Sequence, residues 1–353
     1  VADLDLTLDP VDLTAALIDI PSESLHEAEI ADAVERALRR IDRLDVRRDG
    51  HSIVASTSLG RSERVVIAGH LDTVPENGNL PARSDGETLW GLGSCDMKGG
   101  VAIALKLAAE LSDPARDVTF VLYEAEEIAA KRNGLGRIAR ERPDWLSGDF
   151  AILMEPSDAR VEAGCQGTLR VEIRAAGERA HSARWWMGSN AIHALRPALD
   201  LLADYRPRDV LIDGLTYREG LNAVGIRGGV SGNVVPDEAV LTVNYRFAPD
   251  RDEQAALGHL RELFADFELT VTDSAPGAMP GLARPAAAAF VAAVGGEVGP
   301  KFGWTDVAKF TALGIPAVNY GPGDPSFAHK ADEHVPVAHI RSVHDRLTRW
   351  LTT

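Results

Sequence analysis

Hydrophobic positions in the first 165 or so residues follow two different periods. EAEIADAVERALRRI and VAIALKLAAELSD space their apolar residues three and four apart, as a helix with a buried face requires. SIVAST, RVVIAGH, DVTFVLYE and FAILMEP are instead short apolar runs rich in β-branched residues. Such runs separated by helices predict a mostly parallel sheet covered by helices. The texture changes at Gly167, where TLRVEIRAAG alternates like a half-exposed strand. A helical NAIHALRPALDLLADY follows, then a strand pair in GIRGGVSGNVVPDEAVLTVNYRFAP, a helical EQAALGHLRELFADF and a closing strand in FELTVTD. That βαββαβ order is the ferredoxin-like one. A second α/β stretch completes the chain, with AAAAFVAAVG helical, IPAVNYGPG a strand with its exit loop, and HIRSVHDRLTRWL a final helix. The economical reading is an α/β protein. Residues 1–166 and 275–353 form a doubly wound, mostly parallel sheet domain, and residues 167–274 form an inserted ferredoxin-like α+β domain.

Composition narrows the class. With 353 residues, 45% hydrophobic and 25% charged, the chain can bury a sizeable core, and disorder, collagen and coiled-coil readings lose support. Lys+Arg 37 against Asp+Glu 53 gives a formal charge of -16, which repels phosphate backbones and anionic lipid, so neither nucleic acid nor membrane is an expected partner. The opening VADLDLTLDP lacks the basic and apolar regions of a signal peptide, and no uncharged apolar run reaches about 18 residues. Cys95 and Cys165 are too few for a disulfide framework or a four-thiolate zinc site. A cytoplasmic protein is expected.

The candidate chemistry falls at strand ends, where open parallel sheets gather functional groups. RVVIA runs into His70-Leu71-Asp72, DVTFVLYE into Glu126-Glu127, and FAILM into Glu155. Asp96 sits in the loop before the amphipathic helix, and His329 lies beyond the last strand. Two imidazoles and three carboxylates suit two zinc-like ions, with Asp96 between them. Two such ions carry about +4, which three carboxylates and a hydroxide nearly neutralise. Asp72 is spaced to accept the second ring N–H of His70, and of Glu126 and Glu127 one can hold metal while the other takes a proton from water. Each residue alone has a plainer reading. His70 is then a structural histidine, Asp72 a turn former, Asp96 a helix cap, Glu126-Glu127 a solvated face and Glu155 a strand terminus. Their coincidence on one sheet edge argues for the metal site. The chain has no G-x-S-x-G, Walker A or HExxH pattern, and GLG at Gly91–Gly93 is too short for a dinucleotide fingerprint.

In their order, AGHLDTVP, WGLGSCDMKGG, EAEE, MEPS, GNVVPD and AHKADE resemble the motifs of the M20 metallopeptidase and deacylase family along nearly the whole chain. The resemblance implies two Zn2+ per subunit, with Co2+ a possible substitute. His70 and Glu155 would hold one ion, Glu127 and His329 the other, and Asp96 would bridge them. It further implies that Glu126 is the general base and that the Asp96-Met97 peptide is cis. The inserted domain would be a lid and homodimerisation domain whose His181 polarises the scissile carbonyl in the partner subunit's site. Asn233 and Arg246 match lid positions that grip substrate carboxylates; their plainer readings are a turn residue and a surface arginine. Asn190 is read as a helix cap. Trp185-Trp186 is read as either a subunit contact or a substrate wall.

Within the family, IPSES, ARWWMGSNA, GWTDVAKF and GDPSFAHKADE are most similar to the actinobacterial type of succinyl-diaminopimelate desuccinylase. That type hydrolyses N-succinyl-LL-2,6-diaminopimelate in lysine biosynthesis. Cys165-Gln166 stands where proteobacterial desuccinylases carry a basic pair, so their succinyl contact does not transfer. Acetylornithine deacetylase, dipeptidase and aminoacylase activities share the metal motifs and remain alternatives, as does a non-catalytic metal-holding scaffold.

Overall fold

The computed structural model describes residues 3–353. They divide into two units, one made of the chain up to Ala163 with Pro280–Gly299 and Asp306–Thr353, the other of Gly164–Met279 with Pro300–Thr305. Among the described residues no helix is long and apolar enough to cross a membrane.

The first unit carries an eight-stranded sheet. Its spatial order is Asp45–Asp49, Ser52–Ser56, Asp117–Tyr123, Arg64–His70, Phe150–Leu153, Ala317–Asn319 and Val161–Ala163, with a last edge strand beginning at Val298. The four central strands, from Asp117–Tyr123 to Ala317–Asn319, run parallel, and the flanking strands are antiparallel. The central runs are buried on both faces, which is why they read as continuous apolar stretches. From Arg64–His70 the chain crosses through the helix Gly99–Glu110 to its neighbour Asp117–Tyr123, then returns to Phe150–Leu153 on the other side. Strand order reverses around Arg64–His70, and a crevice for ligands opens at such a point beyond the carboxyl ends.

The helix Gly99–Glu110 is buried on nearly every side, packed between the sheet and the helices Pro10–Ile18 and Val337–Thr352. A Cβ on Gly100 would lie 2.3 Å from the Met154 carbonyl oxygen, so only glycine lets the first turn approach the strand end that leads to Glu155. The helix Pro10–Ile18, capped by Asp9, and a small sheet of Arg83–Ser84, Thr88–Trp90 and His334–Pro336 add to the elements the sequence predicts.

The second unit holds a four-stranded antiparallel sheet in the order Gly220–Gly228, Glu238–Phe247, Gly167–Ala176, Leu269–Ala275. Numbered along the chain, this is the second, third, first and fourth strand, the ferredoxin-like arrangement. Alternate residues Leu169, Val171 and Ile173 face a core with Leu241, Val243, Leu195, Ala198, Leu260 and Phe264. The single helix expected over NAIHALRPALDLLADY is two, Ala191–Ala194 and Arg196–Asp204, because Pro197 starts a new first turn. A hairpin, Asp209–Ile212 with Leu215–Arg218, follows them.

Candidate metal centre

Parallel register delivers the first groups together. His70 ends its strand opposite Tyr123, one residue before the loop of Glu124 to Glu127, and Ala68 lies opposite Leu153, two residues before Glu155. His70 is buried; its Nδ1 lies 2.9 Å from the Asp72 main-chain oxygen and its Nε2 3.0 Å from Asp96 Oδ1. The Asp72 carboxylate is farther from Nδ1, at 3.5 Å. The ring proton expected on that carboxylate therefore goes mainly to the carbonyl of the same residue. The carboxylate instead accepts from Glu126 N at 3.0 Å, Glu127 N at 3.1 Å and Ser24 Oγ at 2.7 Å. Asp72 thus fixes the backbone of both glutamates.

Asp96 does not cap the helix that follows, whose N-cap position is Lys98. It occupies a sharp turn at Ser94–Lys98, and the Asp96-Met97 peptide is cis. Gly93 enters that turn at φ 76, and a Cβ there would stand 2.9 Å from Thr73 Cγ2. The two Asp96 oxygens face different imidazoles, Oδ1 toward His70 Nε2 at 3.0 Å and Oδ2 toward His329 Nε2 at 3.5 Å. His329 Nε2 also lies 2.9 Å from Glu127 Oε1. Donor atoms of His70, Asp96 and Glu127 all fall within 4.8 Å of one another. Glu155, nearly buried, acts on His70 and Glu126 through its charge. Glu27, His51 and Glu124 form another close group, but Arg137 Nη2 is 2.5 Å from Glu124 and Arg48 Nη2 is 3.3 Å from His51, so guanidinium groups already serve it.

In the second unit His181 is exposed, and its Nδ1 accepts from Ala183 N at 3.0 Å, which leaves the ring hydrogen on Nε2. Asn233 holds the same turn: its main-chain oxygen accepts from Ser182 N and its side-chain oxygen from Ser231 Oγ. Arg246, on Glu238–Phe247, is partly buried and makes no side-chain hydrogen bond or ion pair among the described residues. Asn190 accepts from Ile192 N and His193 N as a helix cap. Trp185 and Trp186 are exposed and meet edge to face. Both cysteines are buried thiols; Cys95 contacts the Asp324 carbonyl and Cys165 that of Thr305.

The model of peptidase family M20/M25/M40 matches residues 66–353. The chain belongs to the M20 family. It is 59% identical over 351 residues to the protein assigned as succinyl-diaminopimelate desuccinylase DapE in Mycobacterium tuberculosis, covering 99% of each chain. It is 47% identical over 360 residues to the succinyl-diaminopimelate desuccinylase of Corynebacterium glutamicum, covering 99% of this chain and 98% of that one. Among solved structures, the M20 metallo-carboxypeptidase Sso-CP2 of Sulfolobus solfataricus superposes with a TM-score of 0.81 at 18% identity, covering 98% and 99% of the two chains. The Bacillus subtilis protein YXEP, a dinuclear metal binding peptidase of the family, gives 0.69 at 18% identity, covering 97% and 96%. These two share the fold.

The charges of this cluster fit a metal centre. Burial opposes ionisation of Asp96, yet hydrogen bonds from His329 and His70 hold its carboxyl far below the usual range. Burial likewise works against protonating His70, but Asp72 and Asp96 raise it well above an ordinary histidine. Asp96 and Glu127 push His329 up to about 10. Glu126 is driven well above an ordinary carboxyl by burial, then by the charges of Asp306, Glu155 and Glu127, with His70 opposing. Protons thus occupy the positions that suit cations, and divalent ions among the same carboxylates would displace them. Sequence reasoning assigned no role to Asp306, held by Asn133 Nδ2 at 2.8 Å and Lys309 Nζ at 3.0 Å, although it lies inside GWTDVAKF. It also passed over Glu27, whose Oε1 accepts from Ala125 N at 3.1 Å; a buried acid beside a helix start was the signal available.

Both histidines are raised, so each keeps its proton at neutral pH and loses it as pH climbs through the raised value. Metal binding at pH 7 should release about two protons per chain, and metal affinity should rise with pH until these groups have titrated. Calorimetry in buffers of different ionisation enthalpy reads this directly, and ion binding without proton release would remove His70 and His329 from the centre.

Proposed function

We propose that this M20 chain is a metal-dependent amidohydrolase, a succinyl-diaminopimelate desuccinylase that converts N-succinyl-LL-2,6-diaminopimelate to succinate and LL-2,6-diaminopimelate for lysine biosynthesis. The observation that carries the reading is full-length likeness to two desuccinylases. The Asp96 carboxylate facing two imidazoles supplies suitable chemistry.

In this reading His70, Glu155, Asp96, Glu127 and His329 would hold two ions, Asp96 being shared between them; imidazole with carboxylate would suit zinc, with cobalt a substitute. Bound there, two such ions acidify water and polarise an amide carbonyl. Glu126 takes the proton of the attacking water and returns it to the leaving amine. Asp72 keeps Glu126 in place through the main-chain N–H that it accepts. His181 donates its Nε2 hydrogen to the carbonyl oxygen as negative charge develops there, serving the site of a second copy. Two copies associate through the second unit, a reading supported by the exposed strand Gly220–Gly228 and the exposed Trp185 and Trp186. Arg246 and Asn233 take the substrate carboxylates, Arg246 because its guanidinium makes no ion pair among the described residues. The cytoplasm fits two free thiols and a small metabolite as substrate.

One observation favours a different acyl group. Gln166 donates from Nε2 to the Arg218 carbonyl at 2.6 Å and supplies no cation where related enzymes carry a basic pair. A hydrolysis panel on the metal-loaded protein separates the readings. Succinyl-diaminopimelate should be turned over far faster than acetylornithine, dipeptides or acyl amino acids, and a preference for any of these would replace the desuccinylase reading.

Glu126→Gln should retain both ions yet lose roughly 100-fold or more in kcat, since it removes the proton acceptor alone. Turnover near the wild-type rate with both ions bound would reject Glu126 as the base.

Shared sites are tested by mixing Glu126→Ala and His181→Ala chains, each nearly inactive, through unfolding and refolding together. Half the dimers should then be mixed, each with one site holding both groups, so activity should return to roughly a quarter of wild type. If His181 serves its own chain, subunit exchange restores nothing.

A further inference from the structure

Glu333 lies four residues beyond His329, on the loop that brings this histidine to the centre, and is 2% exposed. Three main-chain N–H groups converge on its carboxylate: Gly93 N on Oε2, and Cys95 N and Asp96 N on Oε1, each at 3.0 Å. Its main-chain oxygen accepts from Gly91 N at 3.2 Å. Every one of these donors belongs to the segment 91–96, which enters and includes the start of the turn that carries Asp96. That segment contains Gly91 and Gly93 at positive φ, and glycine gives the backbone the most freedom to lose. Three main-chain N–H groups held on one buried carboxyl tie the two segments together at several points, so Glu333 is a rigid anchor.

We propose that Glu333 is a positioning residue for the metal centre. It locks the Asp96 turn to the His329 loop, so that both ligands stand in their binding geometry before either ion arrives. The proposal rests on Asp96 and His329 being ligands, as read above. It adds that a side chain touching neither ion nor substrate sets the affinity of both positions. Glutamine at 333 would still accept from Cys95 N and Asp96 N through its oxygen but would turn an NH2 toward Gly93 N, a donor facing a donor. Alanine would lose all three bonds.

The test titrates folded apo protein with Zn2+ against a chromophoric chelator, for wild type, Glu333→Gln, Glu333→Ala and Asp96→Asn, with thermal unfolding of each apo form alongside. Outer partners of ligands are typically worth 10- to 100-fold in metal affinity, so Glu333→Gln should weaken both positions about 10-fold and Glu333→Ala about 100-fold, with two ions still bound at excess Zn2+. At that excess, kcat should recover to within about threefold of wild type with KM unchanged, which loss of a ligand or catalytic group would not permit. Asp96→Asn should fail to hold two ions at any practical concentration. Should Glu333→Ala not fold, Glu333→Gln, which preserves the side-chain shape, decides the matter. Wild-type Zn2+ affinity in Glu333→Gln, with or without a lower apo unfolding temperature, would overturn the proposal provided Asp96→Asn has lost its ions. Wild-type affinity in Asp96→Asn would instead overturn the ligand reading on which the proposal stands.

Discussion

A single carboxylate facing two imidazoles is the constraint around which the first unit is arranged. For the Asp96 oxygens to meet His70 and His329 separately, the chain must turn sharply just before a buried helix begins. The turn needs a residue at positive φ with no Cβ, which Gly93 supplies, and the helix needs Gly100 to approach the Met154 backbone. His70 arrives from the central strand of the sheet, Glu127 from its parallel neighbour and His329 from the segment after Ala317–Asn319. No local stretch of sequence could assemble this set; only the crossover topology can.

The arrangement gathers Asp72, Asp96, Glu126, Glu127, Glu155 and Asp306 into a small, mostly buried volume with few cations. Burial first, and then like charges held together, raise a carboxyl's pKa, as Glu126 illustrates. Two devices keep the cluster folded. His70, Ser24 and main-chain N–H groups hold Asp72 ionised against its burial, and protonated imidazoles balance Asp96. The second device is the more easily surrendered, because a proton on His70 or His329 occupies the lone pair a metal ion would use. Repulsion that costs stability in the bare protein becomes affinity for divalent cations, and whatever binds only the folded chain stabilises it in return.

Legibility in the sequence followed the kind of interaction involved. Strands of a parallel sheet are uninterrupted apolar runs, so their polar exit residues His70, Glu127 and Glu155 stand out, whereas Asp96 and His329 lie in loops and were marked by residue type and motif. The helix split at Pro197 was signalled by the proline but outweighed by the apolar repeat on either side. The partners of Asp72 and Glu333 carried no signal, because both carboxylates bind backbone N–H groups, which every residue but proline possesses. The three-stranded sheet of Arg83–Ser84, Thr88–Trp90 and His334–Pro336 was equally silent, its strands being too short to establish a period.

On the proposed function, net charge is a poor guide to the sign of a small ligand, and Arg246 would be the reason. A charge of -16 spread over a surface is screened beyond about 8 Å at physiological salt, whereas a guanidinium partly removed from water is screened much less. Burial, and after it the like charge of Arg170, press the Arg246 guanidinium below its ordinary pKa, an environment that an incoming anion would relieve. Asp273, the nearby acid, lies 3.8 Å from Arg170 and is partly committed to it. A dicarboxylate a few ångströms long meets only the local field, so an acidic chain can still take an anionic substrate.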